Sequence, residues 1–223
     1  FTERMKRFPA VGVVVETCQG AAVERLLQMD VTVYPVNPKC AERYRERKTP
    51  TGMKTDRLDA WSLADALRLD GSTWRSLKAE DPRIQELRLL CRDEVGLIEE
   101  RTAHVNQLQQ ALHEYYPVAL DAFDDWTRSS SWEFVIQFPT PQALAKAGRK
   151  KWNSFLHTHR LARTEKYEER MSCFARAQEF CGSEPTTRAK SLLAVSLAKV
   201  LLTLEQRLDA YRARINELFE QHP

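Results

Sequence analysis

The spacing of apolar residues changes along this chain and separates a mixed α/β beginning from a helical remainder. Val11 to Val15 is an apolar run that predicts a strand buried on both faces. Helical spacing follows in residues 21–29, and Val31 to Val36 predicts a second strand, which Asn37 and Pro38 end. A strand, a helix and a strand in this order predict two parallel strands joined by a right-handed crossover.

Three longer stretches have helical spacing. Residues 56–69 predict a helix, and the Thr55 hydroxyl is a candidate N-cap for it. Apolar residues at steps of three and four run from Pro82 to Tyr115 and predict an amphipathic helix of about 34 residues. A second such helix covers Leu193 to Leu218. We expect these two helices to form a coiled coil, either as an antiparallel pair within one chain, which is the more economical arrangement, or across a dimer.

Six of the large aromatic residues between the two long helices lie close together in sequence. They are Trp126, Trp132, Phe134, Phe138, Trp152 and Phe155. No strand alternation accompanies them, so the pattern favours packing in short helices over a surface that stacks on bases. The chain therefore divides by pattern into an α/β domain at residues 1–75 and a helical, coiled-coil region at residues 76–223.

Composition narrows the class of protein. Apolar residues make up 43% and charged residues 29%, as in ordinary globular proteins. No apolar run approaches the ~20 residues of a membrane span, so we expect no membrane partner. The five cysteines include no Cys-x-x-Cys pair, which argues against a disulfide framework and a zinc site and predicts a cytoplasmic protein.

Basic residues are concentrated before and at the start of the predicted helix 56–69. They are Lys39, Arg43, Arg45, Arg47, Lys48, Lys54 and Arg57, against the acids Glu42, Glu46 and Asp56. A local excess of positive charge suits contact with nucleic-acid phosphates. A solvated helix face has the same pattern, so the run alone leaves both interpretations open.

Three carboxylates are candidates for metal chemistry. Glu16 follows the first strand directly, and the carboxyl ends of strands are where sites form in open α/β sheets. Asp56 and Asp59 are one helical turn apart and point to one side. Converging carboxylates repel one another unless a cation lies between them, and oxygen ligands favour Mg²⁺ or Mn²⁺. The ordinary alternative is a loop glutamate and two aspartates that the helix dipole stabilises.

Three motifs occur in order over residues 11–69. They are Val14-Val-Glu16 with Gly20, Val33-Tyr-Pro-Val-Asn-Pro38 and Lys54-Thr-Asp-Arg-Leu-Asp-Ala60. Together they resemble the V-E-A-T-G, V-N-P and K-T-D-x-x-D-A segments of the bridge-RNA-guided insertion-sequence transposases with a DEDD motif, the IS110 family. The loop after Glu16 is one residue longer than in that pattern.

The resemblance implies a RuvC-like domain of the RNase H type, in which Glu16, Asp56 and Asp59 are catalytic Mg²⁺ ligands. It also implies a DNA transposase that is guided by a structured RNA and joins copies of itself through its long helices. In that family a first Asp lies upstream of the Glu, and a serine-containing domain follows the coiled coil. Residues 1–223 carry neither feature, so we expect them to be inactive alone in strand transfer.

Two other functions fit parts of the pattern. An RNase H-like nuclease that resolves Holliday junctions without a guide RNA would share the three acids, although the K-T-D segment fits it less well. A non-catalytic helical scaffold would need neither metal nor nucleic acid. Binding of Mn²⁺ separates the two enzymes from the scaffold, and copurifying RNA separates the guided transposase from the nuclease.

Overall fold

The two strands that the apolar runs predict are parallel in the computed structural model. β1 (Gly12–Val15) and β2 (Thr32–Pro35) pair with Val13 opposite Val33, and helix α1 (Ala21–Leu27) connects them. Gly20 begins the connection at a φ of 107°, a backbone conformation that residues with a side chain rarely adopt. The parallel strand–helix–strand prediction is therefore confirmed.

The structure describes residues 11–29, 31–49, 55–162, 165–177 and 181–221. The chain divides into two packed units, residues 1–82 and 83–223. In the first unit, the sheet is followed by α2 (Pro38–Lys48), α3 (Asp56–Asp70) and a 3₁₀ turn (Gly71–Thr73). Its buried apolar side chains come from α1, β2, α2 and α3, and from the residue that follows β2. They are Val23, Leu26, Val33, Val36, Ala41 and Ala66.

The prediction that β1 is buried on both faces is wrong. Gly12 is exposed and Val13, Val14 and Val15 are only half-buried. The reason is the size of the sheet, because the described residues form two strands and β1 has a hydrogen-bonded neighbour on one side only. β1 is thus an edge strand in the part of the chain that the structure describes.

Side-chain caps determine where α2 and α3 begin. The Asn37 Oδ1 accepts a hydrogen bond from the Lys39 N–H at 2.9 Å, and Pro38 occupies the first turn of α2. The Thr55 Oγ1 accepts from the Leu58 N–H at 3.2 Å, which confirms the predicted N-cap of α3. The cap places Asp56 and Asp59 in the first turn of that helix.

The second unit is entirely helical in its described residues. Two long helices, α4 (Pro82–Tyr115) and α9 (Glu184–Glu220), begin and end it. Between them lie α5 (Val118–Asp121), α6 (Ser129–Gln137), α7 (Pro141–Thr158) and α8 (Tyr167–Arg176). No helix in the described ranges is both long enough and apolar enough to cross a membrane.

The long helices α4 and α9 run antiparallel within the chain, as predicted. Ion pairs show the direction: Glu114 contacts Lys190 at 2.8 Å, Arg101 contacts Glu205 at 2.7 Å and Glu94 contacts Arg212 at 3.3 Å. Residue numbers thus rise on one helix as they fall on the other.

The six aromatic residues of the central stretch are all buried in one core, which confirms their packing role. Two of the three indole N–H groups donate hydrogen bonds within the unit, and the buried Trp126 Nε1 has no partner among the described residues. The Trp132 Nε1–H donates to the Trp126 carbonyl at 2.8 Å, and the Trp152 Nε1–H donates to the Arg170 carbonyl at 3.0 Å. None of these rings is available to stack on a base.

Shortening a core side chain of α4 should destabilise the second unit. Leu108 is fully buried, and Leu108→Ala should cost about 2–5 kcal/mol, because packing contacts are lost and a cavity remains. Urea denaturation followed by circular dichroism measures the change. Val95 is 55% exposed on the same helix, so the matched control Val95→Ala should change stability by less than about 0.5 kcal/mol. Equal effects of the two substitutions would contradict this packing.

Candidate functional site

The first unit contains an open cleft of about 690 Å³ between β1 and α3. Its apolar lining comes from β1, the residue before it and one face of α3: Val11, Gly12, Val13, Val14, Ala60, Leu63, Ala64 and Leu67. Its polar lining consists of Glu16, Asp56 and Asp59. The structure therefore brings the three acids chosen from the sequence to one cleft.

Each of these acids reaches the cleft through a different feature of the chain. Glu16 is the first residue after β1 and is exposed. Asp56 is the first residue of α3 and is also exposed, whereas the Asp59 side chain, one turn later, is 22% exposed. The amino-terminal turn of α3 favours both aspartates, because the helix dipole places partial positive charge there.

Asp59 has a counter-ion supplied by the protein. The Arg45 guanidinium of α2 donates to the Asp59 Oδ1 at 3.2 Å and also reaches Glu42 at 3.5 Å. The Arg45 side chain is only 16% exposed, so solvent screens the pair less than it would at the surface. Arg45 was predicted to bind nucleic acid, and in this structure its charge is directed to a cleft acid.

A second ion pair joins the same two helices. The Lys48 Nζ lies 2.5 Å from the Asp65 Oδ2 and 5.1 Å from the centre of the Trp61 ring. Arg68 contacts Asp65 at 2.9 Å from the other side. Hydrogen bonds from Lys48 and then Arg68 hold the pKa of Asp65 below its usual value of 3.8.

Small side chains allow α2 and α3 to approach. Ser62 and Ala66 are buried on α3, and Ala41 is buried on α2. Sequence reasoning missed this interface and the role of Asp65 in it. The available signal was the four-residue spacing of Ser62 and Ala66, together with the three-residue spacing of Arg45 and Lys48.

The remaining basic residues of the predicted nucleic-acid set have a different environment. Lys39, Arg43, Arg47 and Arg57 are exposed, and within the described ranges their side chains have no carboxylate partner. Lys54 lies outside the described residues. The cations that are free to meet an external anion are therefore fewer than the sequence suggested, since Arg45 and Lys48 bind acids of α3.

The cleft offers the ligand type that a hard divalent cation takes, which is carboxylate oxygen. The three acids lie too far apart to coordinate one ion together. Among the residues that the structure describes, no three Asp, Glu, His or Cys side chains lie closely enough to hold one ion. The donor chemistry of Glu16, Asp56 and Asp59 fits Mg²⁺ or Mn²⁺, and coordination by all three stays a prediction.

Comparison with known proteins places the chain among transposases. A family model described as Transposase, that of the IS110-type DEDD transposases, matches residues 5–117, about half of the chain. The match includes β1, α3 and all three cleft acids. No solved structure matches the chain.

Curated relatives point the same way. The chain is similar to the proposed transposase y4uE of Sinorhizobium fredii, with 32% identity over 69% of this chain and 43% of the relative. It is 34% identical to the proposed mini-circle transposase for IS117 of Streptomyces coelicolor, over 61% of this chain and 34% of the relative. The uncharacterized 43.6 kDa protein of insertion element IS110, from the same species, is 27% identical over 78% of this chain and 43% of the relative. The chain thus spans less than half the length of these relatives.

The Lys48–Asp65 pair should make the stability of the first unit depend on pH. Because the pKa of folded Asp65 is lowered, the pair stabilises the fold fully above the ordinary pKa of 3.8. That stabilisation is lost as the pH falls through the lower folded value. Asp65→Asn should therefore be less stable than the wild type at neutral pH, and the difference should shrink below pH 3.8.

Urea midpoints across this pH range measure the effect. Glu46→Gln is the matched control, since Glu46 is an exposed acid on α2. If the difference in urea midpoint between Asp65→Asn and wild type stayed constant down to strongly acid pH, the charge of Asp65 would not be the source of the stabilisation.

Proposed function

Because the chain belongs to the IS110-type family of DEDD transposases, we propose that it takes part in the metal-dependent cleavage and exchange of DNA strands by the transposase of a bacterial insertion sequence. The observation that carries this proposal is that Glu16, Asp56 and Asp59 line one cleft. On this proposal the first unit is a RuvC-like domain of the RNase H type, which works in the bacterial cytoplasm.

The three acids are the proposed catalytic metal ligands. When bound, Mg²⁺ or Mn²⁺ would activate an attacking oxygen and stabilise a leaving oxygen at a phosphodiester. The protein's own contribution is the placement of the carboxylates: the end of β1 carries Glu16, and the capped first turn of α3 carries Asp56 and Asp59. Arg45 donates to the Asp59 Oδ1 and would compete with a metal for that oxygen.

The exposed cations of α2 and α3 are the proposed contacts to DNA phosphates. Lys39, Arg43 and Arg47 lie on α2, and Arg57 is the second residue of α3, directly after Asp56. Such contacts hold a nucleic acid in register without selecting its sequence. Selection would come from the structured guide RNA that the family resemblance implies.

The long helices are the proposed contact between copies of the protein. Several apolar residues of α4 and α9 are exposed, among them Ile84 at 44%, Leu192 at 75% and Phe219 at 71%. A second helical hairpin could cover them as a coiled coil does, because apolar seam residues pack into the spaces between those of a partner helix.

Mn²⁺ binding tests the metal site. We expect isothermal titration of the chain with Mn²⁺ to give a heat signal that Asp56→Asn and Asp59→Asn each weaken strongly, since each removes a charged ligand. Glu46→Gln, which removes an acid outside the cleft, should leave the signal unchanged.

A wild-type chain that binds no Mn²⁺, or a signal that both aspartate variants preserve, would contradict the metal site and favour the non-catalytic scaffold. Circular dichroism of each variant checks that the fold is retained, as we expect for exposed Asp56.

The salt dependence of DNA binding tests the exposed cations. The logarithm of affinity falls with the logarithm of salt by about 0.9 for each phosphate contact to duplex DNA. Replacing Arg43, Arg47 and Arg57 together with Gln should therefore flatten that slope by about 2 to 3 and weaken binding at physiological salt. Fluorescence anisotropy with a labelled duplex measures both.

The control replaces three acids of the same unit that lie outside the cleft, Glu24, Glu42 and Glu46, with Gln. That variant raises the net charge and should strengthen binding slightly. If the salt slope of the arginine variant equalled that of wild type, Arg43, Arg47 and Arg57 would not contact the DNA backbone.

A further inference from the structure

A second basic surface lies in the helical unit, far along the sequence from the cleft acids. From Phe134 to Thr164 the chain contains six Lys and Arg residues and no Asp or Glu. Four of the six fall within α7, at Lys146, Arg149, Lys150 and Lys151. We call these four residues the α7 patch.

All four side chains of the α7 patch are exposed, and no carboxylate of the described residues pairs with them. Several other cations of the unit do have such a partner. Arg101 pairs with Glu205, Arg176 with Asp121 and Arg212 with Glu94. Like charges this close in sequence repel one another, so the patch is most stable when an external anion lies against it.

The backbone changes direction inside the patch. Gly148 has a φ of 81° and a ψ of 158°, which interrupts the helix between Lys146 and Arg149. The helix then resumes and carries Arg149, Lys150 and Lys151 in its first turn. These three positive charges, next to one another in sequence, project at different angles around the helix axis and form a broad basic face.

The apolar side of α7 shows which partners the patch does not suit. Leu144, Trp152, Phe155 and Leu156 are buried in the core of the unit. The exposed surface therefore has no apolar anchor of the kind that protein partners and membranes use. The Trp and Phe rings of α7 are buried as well and offer no platform on which an unpaired base could stack, which argues against recognition of a single strand.

Other exposed polar groups continue the surface. Ser154 and His157 lie on the same helix, beyond the patch, and both are exposed. From Arg149 to Thr158 the helix extends about 15 Å, and duplex DNA carries one negative charge for about every 1.7 Å of its axis. This face is long enough to meet several phosphates at once.

We propose that the α7 patch binds the phosphate backbone of duplex DNA, independently of base sequence. This inference rests on the proposed function, because a transposase has DNA as its polyanionic partner. It adds a second contact, on the helical unit, to the one proposed for the cations of α2 and α3. Cations alone form it, so the patch stabilises the complex and selects no target.

Removing two charges from the patch tests this. Lys150→Gln/Lys151→Gln should weaken binding of a labelled duplex by about tenfold at physiological salt and flatten the logarithmic salt slope by about 2. The effect should be the same for two duplexes of unrelated sequence. Both residues are exposed, so the thermal unfolding midpoint should not change.

The matched control is Lys199→Gln/Arg207→Gln, which removes two exposed charges from α9 of the same unit. It should leave affinity and slope nearly unchanged. If this variant weakens DNA binding as much as the patch variant, only net charge matters and the proposal is overturned. A patch variant that loses affinity for an RNA hairpin alone, with duplex DNA binding intact, overturns it in favour of RNA.

The Mn²⁺ titration separates this inference from the proposed function. If the cleft aspartates carry the Mn²⁺ signal but the patch variant binds DNA like wild type, the α7 proposal fails and the metal site stands. If the patch variant weakens DNA binding but the aspartate variants keep the Mn²⁺ signal, the metal site fails and the α7 contact stands.

Discussion

Two ion pairs between α2 and α3 determine how the cleft is built. Arg45 with Asp59 and Lys48 with Asp65 attach one side of α3 to α2, and the other side of α3 lines the cleft. These side chains are mostly shielded from solvent, so their attraction is screened less than that of surface pairs. Buried Ser62 and Ala66 let the helices approach closely enough for the pairs to form. The position of Asp56 and Asp59 beside β1 depends on this contact.

The same contact limits what the cleft can do. Three carboxylates that share a cleft repel one another, and Arg45 relieves part of that repulsion by neutralising Asp59. A divalent cation would perform the same electrostatic role more strongly. Arg45 already contacts the Asp59 Oδ1, so a cation bound by that oxygen would have to displace the guanidinium.

Features with a local cause were predictable from the sequence. Thr55 caps α3, the 3.6-residue period outlines α4, and the strand–helix–strand order makes β1 and β2 parallel. The grouping of Glu16 with Asp56 and Asp59 came from the order of three motifs. The Lys48–Asp65 pair and the partial exposure of β1 could not be predicted, because they depend on which faces meet in three dimensions.

The helical unit contains cations that pair with acids between helices and cations that face solvent, and their positions relative to the packed helices explain the difference. The buried residues of α4 lie between Val105 and Tyr115, whereas α9 has buried leucines further along, at Leu204, Leu208 and Leu218. Towards the other end of α4, Glu86 and Glu94 pair with Arg214 and Arg212, and these ion pairs add to the antiparallel alignment. Cations of this kind are committed to the fold. The four cations of the α7 patch pair with no helix of the described residues and lie at the surface above the core. Their charge therefore does not help to align helices and faces the solvent.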